Sequence, residues 1–321
     1  MKISVIIPAY NSSRTIRTTL ESAFAQVRPA DEILVMDDGS TDNTADIVRS
    51  FGSRITLLSQ PNAGCAEARN ALCRVAQGDL LAFLDADDSW HPSYLRAQTQ
   101  NFEKFPDAAA FYTWHVTVSG AEGYDWGPGA PLESYTAERI PALTFLHTYN
   151  EAPGKFAISA SCAPKTIVAR MGAQPFRQRA AEDWYFYNLL TLFGDVIYFP
   201  AELATYRTQA GSLSAEPLKL SKAIVEGGEL LLPTFQQFPD KRYLRVFLDA
   251  LSLKQRVFAK VLLYRGDTAK ARYYLRQSAK NSSAPKSVAK SLAMLFFTYL
   301  PKQMQPDWLA NFANWKGPRY S

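Results

Sequence analysis

Three carboxylates within four residues, Asp85-Ala86-Asp87-Asp88, stand directly after the apolar run of residues 80–84. Carboxylates packed so closely repel one another, and burying them without partners is costly. A divalent cation with oxygen ligands would balance their charge. A single Asp-x-Asp is common by chance, but this one follows a predicted strand, and open α/β sheets bind ligands at the carboxyl ends of their strands. The pattern predicts a site for Mn²⁺ or Mg²⁺ there.

Other polar segments also follow predicted strands or open a predicted helix. They are Pro8-Ala9-Tyr10-Asn11, Asp37-Asp38-Gly39-Ser40, and Asn62-Ala63-Gly64 with Ala68-Arg69-Asn70. In a doubly wound sheet they share one edge with Asp85–Asp88. That edge would offer an aromatic ring, acidic acceptors, an arginine and a metal. These groups suit a nucleoside diphosphate, with the ring and Asp38 at the base and Arg69 and the cation at the phosphates.

The elements that must position these residues alternate between strand and helix signals. Apolar, β-rich runs predict strands at residues 3–8, 32–37, 54–59 and 80–84, and helix signals lie at 15–26, 41–51 (capped by Ser40 or Thr41) and 64–77. This alternation predicts an α/β fold, a doubly wound and mostly parallel sheet with helices on both faces. Beyond it we predict a surface loop at 119–141, a helix at 180–193 and a strand at 196–199.

The chain changes character near residue 216. Residues 1–216 hold 17 Lys and Arg against 24 Asp and Glu, whereas residues 217–321 hold 18 against 6. The second part is therefore strongly basic, and its apolar periodicity predicts helices at 220–232, 242–265, 268–280 and 286–300. We predict a catalytic domain at 1–216 and a basic helical region at 217–321. Such an asymmetry suggests contact with an anionic surface.

Cysteine content and hydropathy limit the cellular compartments in which the protein is expected. The three cysteines form no Cys-x-x-Cys pair, which argues for a reducing compartment and against disulfides or a zinc site. The apolar run at residues 3–9 has the pattern of a first strand, not of a signal peptide. The longest apolar stretch, 292–300, is shorter than the roughly 20 residues that span a bilayer. We expect a cytoplasmic protein, with a peripheral position at the inner face of the membrane left open.

The motifs, taken in order, resemble the inverting nucleotide-sugar-dependent glycosyltransferases of family 2, which have the GT-A fold. The resemblance covers residues 1–216 and rests on five segments: Val5 to Asn11, Asp37 to Asp42, Asn62 to Asn70, Asp85 to Asp88, and Ala181-Glu182-Asp183-Trp184. Tyr206-Arg207 and Gly211 to Ser214 are similar to the family's closing segment. Gln209 departs from it, because the family often has His there.

The resemblance implies a role for each matching residue. Pro8, Ala9 and Tyr10 would line the base pocket, and Asp38 would accept the N3–H of uracil or thymine. Arg69 would face the nucleotide, Asp85 would hold the ribose, and Asp87 would hold the metal that bridges the diphosphate. Ala86 would also belong to the nucleotide-sugar-binding residues. Asp183 would be the general base. The implied activity is transfer of a sugar, from UDP or less favourably dTDP, to a glycan or lipid-linked hydroxyl in cell-envelope polysaccharide biosynthesis.

Other interpretations stay open. A catalytically silent relative could bind a nucleotide-sugar or scaffold a glycan-assembly complex, although the intact Asp87 and Asp183 favour an enzyme. A nucleotidyltransferase would want a glycine-rich loop after the first strand, which Pro8-Ala9-Tyr10-Asn11 does not supply. A dehydrogenase is disfavoured because no Gly-x-Gly-x-x-Gly follows a strand. No recognition motif supports nucleic-acid binding by the basic region, so we expect none; a homodimer is left open.

Residues 286–300 carry one further pattern. Apolar side chains recur near one helical stripe, with lysines close by: Val288, Leu292, Leu295, Phe296 and Tyr299 beside Lys286, Lys290 and Lys302. This pattern is typical of a helix that lies in a membrane interface. The alternative is that the stripe packs onto the catalytic domain or onto a second copy.

Overall fold

We describe the protein from a computed structural model, which covers residues 1–120, 123–127, 131–152, 156–208, 216–300 and 304. Contacts divide the chain into two compact units. The first contains Met1–Phe145 and Lys155–Ala210, and the second contains Leu146–Gly154 and Gly211–Ser321. The assignment of 1–216 to catalysis and 217–321 to a separate basic region stays a prediction.

The first unit is built on a mixed sheet. Its described strands are β1 (Ile3–Ala9), β2 (Glu32–Asp37), β3 (Thr56–Ser59), β4 (Leu80–Phe83), β5 (Ala110–Ser119), β6 (Glu138–Ile140), β7 (Ser161–Pro164) and β8 (Val196–Thr208). They form an eight-stranded sheet in the order β3-β2-β1-β4-β7-β5-β8-β6. β1 pairs in parallel with β2 and β4, β2 with β3, and β5 with β8. β7 is antiparallel to both its neighbours. The predicted doubly wound, mostly parallel sheet is confirmed.

The strands at the centre are buried along their length, as their continuous apolar runs predict. Every residue of β1 and of β4 is buried, which requires cover on both faces. The described helices of this part of the chain are α1 (Ile16–Phe24), α2 (Thr44–Arg49), α3 (Cys65–Val75), α4 (Tyr94–Lys104), α5 (Ala142–Glu151), α6 (Lys165–Arg170) and α7 (Glu182–Leu190). The parallel arrangement brings the carboxyl ends of β1, β2 and β4 to one edge.

Several predicted elements differ from the structure. Helix α2 begins at Thr44, and neither Ser40 nor Thr41 caps it, because both bond to Asn11 instead. The predicted surface loop at 119–141 contains a 3-10 turn at Leu132–Ser134 and the edge strand β6; residues 121–122 and 128–130 lie outside the described residues. β8 is much longer than the predicted 196–199, because it continues beside β5 to Thr208.

The second unit is helical. Its helices are α8 (Pro217–Gln237), α9 (Lys241–Tyr264), α10 (Thr268–Asn281) and α11 (Pro285–Phe297). Asp240 and Asp267 cap α9 and α10, because their carboxylates accept bonds from the first-turn amides of Arg242 and Lys270. A buried cluster joins the helices: Val225, Phe258, Ala259, Leu262, Ala271, Leu275 and Met294. Of the helices described, none is long and apolar enough to cross a membrane.

Candidate functional site

The loops after β1 and β2 meet at the carboxyl edge of the sheet. The amide of Asp38 donates to the carbonyl of Ala9 over 2.8 Å. The Asn11 side chain accepts a 2.8 Å bond from the amide of Thr41, and the Ser40 hydroxyl accepts one from the amide of Asn11. Asn11 is held at a positive φ of 48°, a conformation that Asn tolerates better than most residues. The two predicted nucleotide-binding segments therefore form one bonded surface.

Asp38 fixes the position of the segment Asn62-Ala63-Gly64. Its carboxylate accepts bonds from the Gln60 side chain (2.7 Å) and from the amides of Ala63 (2.9 Å) and Gly64 (2.8 Å). A carboxylate has about four acceptor positions, so these three bonds leave roughly one for a ligand. Gly39 permits the approach, since it has a φ of +75° and an added Cβ would lie 2.9 Å from the nitrogen of Asn62.

Of the three residues predicted to line a base pocket, one presents its side chain. Pro8 and Ala9 are buried in β1, whereas Tyr10 is 48% exposed at the end of the strand. The large exposed ring of Tyr10 is therefore available as a stacking surface at this edge, where Asp38 is buried.

Arg69 lies in a buried cluster of charged groups behind the edge of the sheet. Its side chain is fully buried, and Nη2 contacts Asp85 Oδ1 at 2.6 Å while Nη1 contacts Glu182 Oε1 at 3.2 Å. The guanidinium also lies over the ring of Phe176, 4.9 Å from its centroid. Asn70 holds Phe176 in place through two hydrogen bonds with its backbone. A buried charge needs partners, and Arg69 finds them in carboxylates. It connects Asp85 to Glu182, and its predicted position at the nucleotide stays a prediction.

The Asp85–Asp88 loop is fixed from several sides. Hydroxyls of Thr15 and Thr19 donate to the carbonyl of Ala86 at 2.9 and 3.0 Å. Asp88 is buried, and its carboxylate accepts bonds from the Ser159 hydroxyl at 2.5 Å and from the amide of Arg207 at 2.7 Å. Burial and the neighbouring Asp87 and Asp85 raise the pKa of Asp88 well above its ordinary value. Asp88 is thus an internal brace of the loop.

Asp87 and Asp85 are the acids of this loop that solvent reaches. Asp87 is partly exposed, and the side chain of Asp85 is 31% exposed. Within the described residues no group of three or more His, Cys, Asp or Glu side chains could hold a metal ion. Mg²⁺ is usually held by one or two carboxylates together with substrate phosphates. Asp85 and Asp87 are thus the two carboxylates of this loop that a ligand could reach.

Asp183 opens α7 beside the Arg69 cluster. The preceding residue, Ala181, has a φ of 56°, a strained conformation for a residue with a Cβ. The carboxylate of Asp183 accepts a 2.7 Å bond from the amide of Trp184. Burial and the adjacent Glu182 raise the pKa of Asp183 to about 7. A carboxylate with that pKa can take up a proton near neutral pH.

Two residues escaped the sequence-based site prediction. Ser159 accepts from the amide of Asp85 at 3.0 Å, donates to Asp88, and offers its carbonyl to Trp90 Nε1 at 2.6 Å. The side chain of Arg207 donates to the carbonyls of Asp87 and Gly120. No motif marks Ser159, but Arg207 lies in the closing segment that the resemblance covered. Gln209 and Gly211 to Ser214 lie outside the described residues.

Other residues considered for the site have structural surroundings. Trp184 is 2% exposed, so its ring is not available to stack on a sugar. His115 is buried with its Nδ1 2.8 Å from the Tyr112 hydroxyl, and burial lowers its pKa to about 4. Cys73 is buried, and Cys65 is half-buried on the same helix.

Comparison with known proteins identifies the family. The model of "Glycosyl transferase family 2" matches residues 4–184, more than half of the chain. An uncharacterized glycosyltransferase of Escherichia coli, YibD, is 42% identical over 112 residues, which are 34% of this chain and 33% of that protein. Among the curated relatives first in similarity, the matched segments cover between 15% and 45% of each protein.

Solved structures agree in fold. TarS of S. aureus (residues 1–349, in complex with UDP-GlcNAc) aligns over 99% of this chain and 93% of its own, with a TM-score of 0.71 at 16% identity. The mannosyltransferase PcManGT of Pyrobaculum calidifontis, in complex with GDP-Man and Mn²⁺, aligns over 97% and 85% with a TM-score of 0.57 at 18% identity. The chain therefore belongs to glycosyl transferase family 2 and has the GT-A fold that its motifs implied.

Proposed function

We propose that the protein is an inverting, metal-dependent glycosyltransferase that moves a sugar from a nucleotide-diphospho-sugar to an acceptor hydroxyl. The observation that carries the proposal is the chain of contacts from Asp85 through Arg69 to Glu182, which is adjacent to Asp183. It joins the loop suited to a diphosphate to a carboxylate whose pKa lies near 7. A donor and a base held by one buried ion-pair cluster are what sugar transfer requires.

The nucleotide would bind at the edge formed by β1 and β2. Tyr10 is exposed for stacking, and Asp38 retains about one acceptor position for the N3–H of uracil or thymine. The bonds that Asp38 already makes fix its orientation before a ligand arrives, so little ordering is needed on binding. We infer UDP as the preferred nucleotide, with dTDP second.

The diphosphate would lie at Asp85–Asp88. Asp87 would hold Mn²⁺ or Mg²⁺ together with phosphate oxygens, while Asp85, already oriented by Arg69, would contact the ribose. The cation supplies charge neutralisation at the leaving phosphate. The chain's own contribution is a rigid loop, because Thr15, Thr19 and Ser159 bond its backbone and side chains.

Asp183 would remove the proton of the acceptor hydroxyl. Deprotonation converts a weak nucleophile into an effective one, and a base placed across the sugar from the leaving group leads to inversion. Arg69 would act as a positioning residue, because it holds Glu182 and thereby the first turn of α7. We propose a glycan or lipid-linked acceptor in polysaccharide assembly.

A thermal-shift panel tests the donor site. We expect UDP to raise Tm with Mn²⁺ present and to lose most of that effect in EDTA, while GDP and ADP raise it less. Asp87→Asn should remove the metal dependence and keep the fold. Asp46→Asn is the matched control, since Asp46 is an exposed acid on α2. Equal shifts with all nucleotides, or no effect of EDTA, would contradict the assignment.

A product assay separates the enzyme from a silent binding protein. With UDP-sugar and Mn²⁺, we expect the wild type to release UDP, by transfer or by slow hydrolysis. We expect Asp183→Asn to bind the UDP-sugar but to release no UDP. Donor binding with no UDP release from the wild type, whichever glycan or lipid-linked acceptor is offered, would favour the silent nucleotide-sugar-binding alternative.

A further inference from the structure

Helix α11 packs into the helical unit through both polar and apolar groups. Ser291 is fully buried and Thr298, just beyond the helix, is 5% exposed. Arg256 Nη1 donates to the hydroxyls of Ser287 at 2.8 Å and Ser291 at 3.1 Å. Arg272 Nε donates to the Thr298 hydroxyl at 3.0 Å. Besides Ser291, the helix buries Met294 in the apolar cluster, and Leu295 packs against that cluster while partly buried.

Two other apolar side chains of α11, and Tyr299 just beyond its end, lie at the surface. Leu292 and Phe296 are 50% and 61% exposed and lie four residues apart on one face of the helix, and Tyr299, two residues past its end, is 54% exposed. We call these three residues the outer stripe. Of the five residues predicted to form the stripe, Val288 and Leu295 are half-buried instead. A helix in water normally buries such a stripe and exposes its polar face. α11 buries Met294 and part of Leu295 but leaves Leu292 and Phe296 in water.

The surroundings of the outer stripe are basic. Between Thr268 and Leu300 the sequence contains six Lys and Arg residues and no Asp or Glu. Lys286 and Lys290 are exposed on α11 itself. Arg276 Nη2 donates to the Tyr299 hydroxyl at 2.5 Å, and Arg272 lies 3.9 Å from the centroid of that ring. Exposed apolar groups are therefore surrounded by positive charge.

We propose that the outer stripe of α11 inserts into the interface of an anionic lipid membrane. Leucine and phenylalanine would enter the boundary of the acyl chains, the tyrosine would lie at the level of the headgroups, and the lysines would attract anionic lipid. At 13 residues the helix is about 20 Å long, which suits a position in the plane of the interface and is too short to span it.

Charge favours lipid over the other occupants. A second copy would bring two basic faces together, and like charges repel. A nucleic acid would match the charge but would not need exposed leucine and phenylalanine. The inference goes beyond glycosyl transfer and does not depend on it, because every residue involved belongs to the helical unit.

Vesicle binding by the full chain tests the proposal. We expect co-sedimentation with vesicles of phosphatidylcholine and phosphatidylglycerol at low salt, and much weaker binding in high salt or to phosphatidylcholine alone. The pair Leu292→Gln with Phe296→Gln should lower the partition coefficient about tenfold or more, since two apolar groups lose their burial. The matched control is Leu230→Gln with Leu253→Gln, because these leucines are exposed elsewhere in the same unit.

A pair of lysine substitutions separates electrostatic attraction to anionic lipid from insertion of the apolar side chains. Lys286→Gln with Lys290→Gln should weaken binding to anionic vesicles about tenfold at low salt, whereas Lys219→Gln with Lys222→Gln, exposed lysines of α8, should have little effect. Unchanged circular dichroism and UDP binding would show that the variants fold. Failure of the wild type to bind anionic vesicles at low salt would overturn the proposal. So would equal binding by the stripe variant and its control, or a dimer in sedimentation velocity that the stripe variant dissociates.

Discussion

The sheet edge of the first unit and helix α11 of the second depart from ordinary burial in opposite directions. The edge buries charge, and Arg69, Asp38 and Asp88 each have bonded partners there. Helix α11 buries hydroxyls and leaves Leu292 and Phe296 exposed. Charged groups are rarely buried, and apolar stripes are rarely left in water. At the edge, the cost of burying charge is offset by bonds within the protein, whereas at α11 the cost of exposing apolar side chains would be offset by a partner.

The largest effect should come from Asp183→Asn, which tests whether the buried charge at the edge serves catalysis. Loss of the base should slow transfer by about 10²–10⁴-fold while donor affinity, measured by calorimetry, stays within about twofold. The wild-type rate should fall as pH is lowered through about 7, because protonation removes the base. Transfer by Asp183→Asn at the wild-type rate would show that another group is the base.

Removal of Arg69 should destabilise the fold. Arg69→Met leaves Asp85 and Glu182 without their shared cation, and breaking a buried ion pair typically costs about 3–5 kcal/mol. Urea unfolding measures the loss. Arg74→Met is the control on the same helix, where an exposed arginine should contribute within about 0.5 kcal/mol. Similar losses in both variants would mean that the Arg69 cluster does not stabilise the edge.

Asp183→Asn should also change stability, in a pH-dependent way. Burial and Glu182 raise the pKa of Asp183 in the folded protein, so the native state holds the proton more tightly than the unfolded chain does. The stability that this carboxyl contributes is full below its ordinary pKa and is lost as pH rises through about 7. We therefore expect the variant to be more stable than wild type by about 1–4 kcal/mol at alkaline pH, and equal at acid pH. If the difference in stability between Asp183→Asn and wild type did not change with pH, the raised pKa of Asp183 would not be its cause.

A pair of glycines separates strain from crowding at the edge. Gly39 and Gly52 both have positive φ, but an added Cβ meets the backbone of Asn62 at Gly39 and nothing within 4 Å at Gly52. Gly52→Ala should cost about 1–2 kcal/mol from strain alone. Gly39→Ala should cost about 1–3 kcal/mol more and weaken UDP binding, because the bonds of Asp38 to Ala63 and Gly64 would shift. Equal losses of stability in Gly39→Ala and Gly52→Ala would mean that the loop at Gly39 shifts to make room for the added methyl group.

The sequence could predict the first half of the sheet because its signals are local. Continuous apolar runs marked β1, β2 and β4, and the predicted bounds of β2, residues 32–37, agree with the structure. It could not predict β6, β7 or the length of β8, because their registers depend on partners distant in the chain. The edge loops were found by residue type. The partners of Arg69 could not be predicted, because the sequence of a helix does not indicate which carboxylates its arginine will contact.

The same limit applies to α11, where the amphipathic pattern was predicted but not the side that packs. Ser291 and Leu292 are neighbours, and they give the smallest and most direct comparison. Ser291→Ala removes a buried hydroxyl from its bonds with Arg256 and Ser278, which should cost about 1–3 kcal/mol. Leu292→Gln keeps helix propensity and changes an exposed side chain, so unfolding should stay within about 0.5 kcal/mol of wild type. If Leu292→Gln proved as destabilising as Ser291→Ala, the outer stripe would be needed for folding, and its exposure would no longer require a membrane to explain it.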